Sequence, residues 1–507
     1  MLLKSNKSKI NIRRYLLQKN MLVLYGVIML GAVLRFINYT NRWGLAYDQA
    51  QFAIVGRYAV QTLQIPLLGP FSSGGPFQTG GEWYWLVMLG WIFFPYTVMG
   101  PWIFLTLFTL ISVVVIYLAG QVLDNKKFGI LLSLLIVLSP VQTYQATNLT
   151  NQTPIVVFSS LALLFGVLFM KQKQLKYLFL QALSVGIGTS IHIQMVALIP
   201  FVFLTYIFFT KNWMRGFLLL VFGISLPWTP VLIADVQNGF YNTKNMLFYY
   251  TNGQAQVPYE VLGRRWLTFS SQFIPASWAN IIGGKLFIGY VLIGGISIVG
   301  LIEFMKRKIT KEWWVFYISI AIMLVILRYT RTPLFDSFLI FLNPFVILLS
   351  GRLLYSMLKV SRIVGIIAVV IVCGSSLLAM IPVIKSSTNV TATQVDIWKV
   401  NMKRSFPNTK FSIHDMKLVT TEKSFPLVLY FYHDDLIDKN GKKIGMGIAG
   451  SKTNFQYEYP SIFGLVGDYQ IYDLDSTSSA SLRDSQWAQI NPETVYNSVQ
   501  NWYKNEK

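Results

Sequence analysis

The sequence predicts a polytopic α-helical membrane protein that ends in a small α+β domain, and three observations predict it. Of 507 residues, 54% are hydrophobic and 13% charged, with a mean hydropathy of +0.49, too apolar for a soluble enzyme of this length. Acidic residues are unevenly placed: residues 1 to 384 hold 29 Lys and Arg against 8 Asp and Glu, whereas residues 385 to 507 hold 14 against 13. The third observation is a series of eleven apolar runs, each near the length of about 20 residues that a helix needs to cross a bilayer. The chain therefore divides into a membrane part, 1–384, and an extracytoplasmic α+β domain, 385–507.

The predicted spans are 21–38, 100–123, 128–145, 154–170, 175–191, 193–210, 216–234, 281–304, 312–328, 334–350 and 361–384. Lys4, Lys7, Lys9, Arg13, Arg14 and Lys19 precede the first, with no small-residue cleavage site behind it, so it reads as an uncleaved anchor that starts in the cytoplasm. A twelfth run, Trp83 to Pro95, is 13 residues long and is read as an interfacial or re-entrant helix. That choice keeps Lys126/Lys127, Lys171/Lys173/Lys176, Lys211/Arg215 and Lys306/Arg307/Lys308/Lys311 on the cytoplasmic side, as the positive-inside rule asks. Basic charge placed this way meets anionic lipid. No basic stripe lies on a soluble domain, so nucleic acid is not an expected partner. One cysteine, Cys373, excludes an intramolecular disulfide, and three histidines leave little for zinc, so no metal site is assigned.

Function is expected on the outer segments 39 to 99, 146 to 153, 235 to 280 and the tail. Asp48 opens an amphipathic stretch with Phe52, Val55, Ala59 and Leu63 on one face, read as a helix lying flat on the outer leaflet. Asp48-Gln-Ala-Gln51 has the form of a capping box, and a helix N-terminus also keeps a carboxylate ionised and able to take a proton; the two roles are compatible. The segment Gly69 to Gly81, with five Gly and two Pro among its thirteen residues, is read as irregular loop whose backbone can approach a ligand. It contains Gln78 and leads to Glu82 and the aromatic run Trp83-Tyr-Trp85. It is no P-loop, since no Gly-Lys-Ser/Thr follows.

Loop 235 to 280 carries ten aromatics and the pair Arg264-Arg265. The rings suit a headgroup belt or a sugar face. The arginines, with Arg328 and Arg331 at the outer end of the ninth span, suit a donor phosphate or lipid headgroups. His192, between two spans, is either a hydrogen-bonded interior histidine or a site residue. In the tail, Pro426-Leu-Val-Leu-Tyr-Phe-Tyr432 is read as a β-like run and 493 to 504 as a helix.

In order along the chain stand Tyr47-Asp-Gln-Ala-Gln51, Pro66-Leu-Leu-Gly-Pro70, Gly80-Gly-Glu-Trp-Tyr-Trp-Leu86, Ser139-Pro140 with Asn148 to Pro154, Ile191-His-Ile-Gln194, and Leu226-Pro227 with Asn238-Gly-Phe-Tyr-Asn242. This order resembles the GT-C superfamily of polyprenyl-phosphate-sugar glycosyltransferases, which includes protein O-mannosyltransferases and aminoarabinose transferases, and covers about residues 15 to 385. The resemblance implies a GT-C-like fold, a polyprenyl-phosphate-linked sugar as donor, an extracytoplasmic polymer, lipid or protein as acceptor, and Asp48 as base or metal ligand. Two departures stand out. The usual Asp-Glu pair is Asp48-Gln49, as in some bacterial members, and Thr79 replaces a lysine common in the class, so the phosphate must be held elsewhere. Gln49, Gln78, Glu82, His192, Arg264, Arg265 and Arg331 are the candidate substrate-binding residues. A divalent cation, Mg or Mn, is left open as cofactor.

The chemistry agrees with one carboxylate. A glycoside hydrolase needs a second to protonate the leaving alkoxide, whereas a phosphate leaving group needs only cations, and one base then supports direct displacement with inversion. The rival class is a transporter or flippase of lipid-linked sugars; against it, no inverted repeat of interrupted helices is visible and the candidates cluster on one face. A non-catalytic scaffold is disfavoured, since eleven spans far exceed the needs of an anchor.

Overall fold

The computed structural model describes residues 19–72, 75–249, 251, 266–329, 336–387, 390–416, 425–448, 461–466, 469–475 and 487–501. Helix dominates the membrane part, because inside a bilayer a backbone must satisfy its own N–H and C=O groups. In order come α1 (Lys19–Phe36), α2 (Tyr47–Thr62), the strands β1 (Leu68–Ser72) and β2 (Gly75–Gly80), α3 (Glu82–Phe93), α4 (Gly100–Leu123), α5 (Lys126–Val137), α6 (Pro140–Gln145), α7 (Ile155–Gln172), α8 (Leu175–Ile191), α9 (Ile193–Phe209) and α10 (Trp213–Gln237). They are followed by α11 (Tyr241–Phe248), α12 (Ile274–Ile281), α13 (Leu286–Met305), α14 (Lys311–Tyr329), α15 (Leu339–Val360) and α16 (Arg362–Lys385). Among the described residues, seven helices are long and apolar enough to cross a membrane: α4, α7, α10, α13, α14, α15 and α16. The other predicted spans fall on shorter helices, α1, α8 and α9, and on the pair α5 and α6, which breaks at Ser139-Pro140 where proline starts a new turn.

Three local expectations are corrected. The stretch Gly69 to Gly81 is not irregular: β1 and β2 pair antiparallel, with Leu68 opposite Gly80 and Phe71 opposite Gln78. Glycine content did not prevent the ladder because outside partners pin it, as described below. The apolar face of α2 does not rest on lipid, since Phe52 (8% exposed), Val55 and Ala59 (both 0%) are buried in protein and Leu63, assigned to that face, is 86% exposed. What covers them is α3, which crosses α2 so closely that a Cβ at Gly56 would press on Val87. Trp91 Nε1 on α3 donates to Ala53 O on α2 at 2.8 Å. At 12 residues α3 is about 18 Å long, short of a crossing. The third correction is Pro426 to Tyr432, which lies in a helix, Phe425–His433, rather than a strand. Proline is at home in a first helical turn, and Pro426 through Phe431 are all buried, so two-sided burial outweighed β propensity.

After α16 come α17 (Val390–Ser405), β3 (Phe411–Met416), α18 (Phe425–His433), β4 (Lys442–Ile448), β5 (Ser461–Val466), β6 (Tyr469–Asp473), β7 (Trp487–Ile490) and α19 (Pro492–Gln500). The strands form one sheet in the order β5-β6-β4-β3-β7, with β3 and β4 parallel and the other pairs antiparallel. This α+β unit sits on α2 and the hairpin. Arg57 on α2 donates to His433 O at 3.2 Å and stacks over Trp91 at 4.9 Å. Gln500 Oε1 accepts from the N–H groups of Leu67 and Leu68, both at 3.2 Å, while its Nε2 donates to Leu68 O at 2.7 Å.

The helix ends gather into two faces. On one, Asp124 pairs with Lys359 at 2.6 Å, Glu312 with Lys171 at 3.0 Å, and Glu303 with Arg352. On the other lie α2, the hairpin, the α6–α7 and α8–α9 turns and the α+β unit. Asn38 donates there to Ile384 O at 3.0 Å, joining the ends of the first and last membrane helices.

Candidate active site

Asp48 stands exposed in the first turn of α2. The capping box expected from Asp48 to Gln51 is corrected by the structure: the N-cap position is Ala46, and Gln49 Oε1 reaches back to accept from Ala46 N–H at 2.9 Å. Gln49 thus takes over the box, and the carboxylate of Asp48 sits where the helix dipole favours negative charge. The other end of Gln49 holds the neighbouring turn, its Nε2 donating to Asn148 Oδ1 at 2.9 Å. A backbone bridge between Gly44 and Asn148 fixes the same two segments.

Between them opens a polar cleft of about 160 Å³ lined by Arg42, Gly44, Leu45, Ala46, Gln49, Tyr144, Thr147 and Asn148. Arg42 went unnoticed in the sequence, although its position six residues before Asp48, just past a membrane span, was a usable signal. It is 3% exposed. Its Nη1 donates to the carbonyls of Leu34, Arg35 and Ile37 at 3.1, 3.3 and 3.0 Å, and its Nη2 to Thr143 O at 2.9 Å. The guanidinium therefore satisfies carbonyls that the end of α1 leaves open, and keeps its charge at the cleft wall.

Glu82 begins α3 and is 8% exposed; Ser190 Oγ, at the end of α8, donates to its Oε2 at 2.6 Å. Burial pushes the Glu82 carboxyl above its ordinary range, and the Ser190 hydrogen bond partly offsets this. A side chain at Gly80 would collide with both Ser190 and Glu82, which explains the glycine. His192 lies two residues further on, its Nε2 3.3 Å from Gln152 Nε2. The amide must be the donor there, so the ring is neutral, in agreement with burial lowering the imidazole pKa to about 4. Asn151 Nδ2 donates to Ile191 O at 3.2 Å and ties the two turns together.

The structure thus joins Gln49 to the 148 turn and Glu82 and His192 to the α8–α9 turn, all on the face that carries Asp48. Gln78 is engaged differently. Its backbone N–H donates to Asn242 Oδ1 at 2.7 Å, and its Nε2 donates to Gly69 O at 3.0 Å and to Val499 O at 2.7 Å, so it pins the hairpin to α11 and α19. Asp235 serves α11 in turn, accepting from Asn242 N and Thr243 N at 2.9 and 3.0 Å. Arg264, Arg265 and Arg331 lie outside the described residues. Arg328 is described: it is buried, with its guanidinium 4.9 Å from the Trp266 ring.

Residues 83–233 match the family model of dolichyl-phosphate-mannose-protein mannosyltransferase. The fold is similar to that of ArnT from Cupriavidus metallidurans. Bound to undecaprenyl phosphate, that protein aligns with TM-score 0.61 and 12% identity over 90% of this chain and 98% of its own; in the apo state the values are 0.59 and 12% over 89% and 97%. An oligosaccharyltransferase from Archaeoglobus fulgidus, crystallised with zinc and sulfate, gives TM-score 0.48 and 12% identity over 76% of this chain and 56% of its own. No curated protein matches the chain in sequence. These matches are to transferases and lend nothing to a transporter. Residues 83–233 are thus similar to a mannosyltransferase family, and the chain shares the membrane fold of ArnT along nine-tenths of its length.

Proposed function

We propose that the protein transfers a monosaccharide from a polyprenyl-phosphate donor to an acceptor on the outer face of the membrane, by direct displacement with inversion at the anomeric carbon. The observation that carries this reading is the cleft itself: one exposed carboxylate at a helix N-terminus stands beside a polar wall that holds the permanent charge of Arg42. Asp48 takes the proton of the acceptor hydroxyl as its oxygen attacks, and the lipid phosphate leaves as an anion that needs positive charge but no acid. Arg42 is the described cation at the cleft, and Arg264, Arg265 and Arg331 remain candidates on the sequence alone. Gln49, Glu82 and His192 act as the frame around substrate, the last two from buried positions. Gln78 acts through the hairpin.

A divalent cation, Mg or Mn, fits only in a limited way. Among the described residues no three of His, Cys, Asp and Glu converge. Asp48 and the Asn148 amide oxygen are the residues that would hold such an ion, and its chemistry would be to neutralise the leaving phosphate.

The membrane part, 1–384, places its basic face in the cytoplasm and the unit 385–507 outside. Mass spectrometry of envelope glycans and glycoproteins in a deletion strain, complemented by wild type or Asp48→Asn, tests the reading. Loss of one glycan that only wild type restores supports it; full restoration by Asp48→Asn removes Asp48 as base. For topology, in a Cys373→Ser background, Ser72→Cys should react with an impermeant maleimide from outside and Asn125→Cys should not. The reverse pattern, or labelling of both, would overturn the assignment.

A further inference from the structure

Two aromatic polar groups in α3 lie buried without a partner at the face that carries Asp48. Trp83 and Tyr84 are both 0% exposed, and neither the indole Nε1 nor the phenol hydroxyl has a hydrogen-bond partner. Buried tyrosine hydroxyls almost always find one, because an unmet O–H costs stability. Both rings meet Phe52 edge-on, at 5.5 and 6.1 Å between centroids. Phe52 lies four residues after Asp48 on α2, so it occupies the same helix face one turn along. Tyr84 therefore packs against the face of α2 on which Asp48 lies one turn earlier. Burial, with Asp48 adding to it, holds the phenol above its ordinary pKa, so it stays a donor.

We propose that Tyr84 is a positioning residue for Asp48, its hydroxyl donating to one carboxylate oxygen when the lipid-linked sugar seats and leaving the other oxygen aimed at the acceptor hydroxyl. The inference rests on Asp48 as the base. An unmet hydroxyl near a reactive carboxylate is stability given up in the resting protein for a hydrogen bond made on binding, a pattern found at functional sites. Trp83 supplies the comparison, since its indole N–H shares the burial and the Phe52 contact.

The test uses full-length protein in nanodiscs and follows release of undecaprenyl phosphate from whichever undecaprenyl-phosphate hexose, mannose or glucose, wild type consumes. Tyr84→Phe should lower kcat about 10- to 100-fold, the scale of one hydrogen bond to a charged group, with donor KM unchanged and Tm equal to or above wild type. In the Asp48→Asn background the same change should have no further effect on kcat. A merely structural tyrosine predicts the opposite set: wild-type kcat, or a loss of kcat that follows a fall in Tm or persists in the Asp48→Asn background. Any of these overturns the proposal while Asp48→Asn, inactive by itself, still upholds the base. If Asp48→Asn turns over like wild type, the reading of the site fails first, and the role of Tyr84 falls with it.

Discussion

The two faces of the helical bundle hold charge in opposite ways. At the Asp124 face, Asp124, Glu303 and Glu312 each meet a Lys or Arg, in pairs that keep contact with water. At the Asp48 face, Glu82 is held by a serine hydroxyl, Asp235 by backbone N–H groups, and Arg42 by four carbonyls. Arg35, fully buried near Arg42, donates through Nη1 to Gly31 O at 3.2 Å and leaves Nε and Nη2 without a partner. A charge with an opposite partner near water is inexpensive to keep and contributes little. A charge held among neutral groups is costly, and such cost is retained where a substrate of matching sign completes the site.

The comparison can be broken at several points. Its largest test is Asp48→Asn, which keeps the shape of the side chain but cannot accept a proton; turnover should fall by roughly 10²- to 10⁴-fold while thermal unfolding is unchanged. Initial rates paired with a melting curve decide it, and activity within threefold of wild type would remove the Asp48 face as the catalytic one.

Next in size is the contrast between Arg42→Met and Lys171→Met. Stripping the buried guanidinium leaves four carbonyls unmet and should destabilise by about 3 kcal/mol, whereas losing the Lys171–Glu312 pair should cost under about 1 kcal/mol. Chemical denaturation in detergent measures both. Equal effects would show that the two faces do not differ in kind. In nanodiscs, Arg42→Lys should also raise the KM for the lipid donor, because a point charge cannot keep the carbonyl fork and face the cleft together.

A subtler consequence concerns pH. The carboxyl of Glu82 titrates above its unfolded value, so its contribution is fully present at low pH and is lost as pH rises through the folded pKa. Glu82→Gln should therefore melt like wild type near pH 4 and gain on it at pH 7 to 8. A variant that loses ground as pH rises would mean that the charged form of Glu82 is the stabilised one. The smallest effect is expected at His192. With its pKa near 4 the ring stays neutral across pH 5 to 8, so His192→Gln should leave the shape of the pH–rate profile in that range unchanged even where it lowers the rate. Loss of an inflection between pH 6 and 7 would make the histidine a titrating participant.

Seven of the eleven predicted span positions and the shortness of α3 were legible in the sequence. Hydropathy and charge act through lipid and water, which read each segment locally. The helix at Asp48 was legible for the same reason. Its cap was not, because Ala46 offers no capping side chain and the box is closed by Gln49 alone. Nor did glycine and proline content reveal the hairpin, whose register depends on Asn242 and on the carbonyl of Val499, or the buried helix 425–433, whose two-sided apolar surface makes sense only against α2. The site itself is wholly non-local. Gln49 meets Asn148 across 99 residues of chain, Gln152 meets His192 across 40, and Ser190 meets Glu82 across 108. Composition and periodicity carry no information at such separations, since they set which segments enter the membrane and not which turns become neighbours. Those neighbours were decided by helices packing at fixed distances, which brought Arg42 to the cleft wall and Tyr84 against Phe52 on α2.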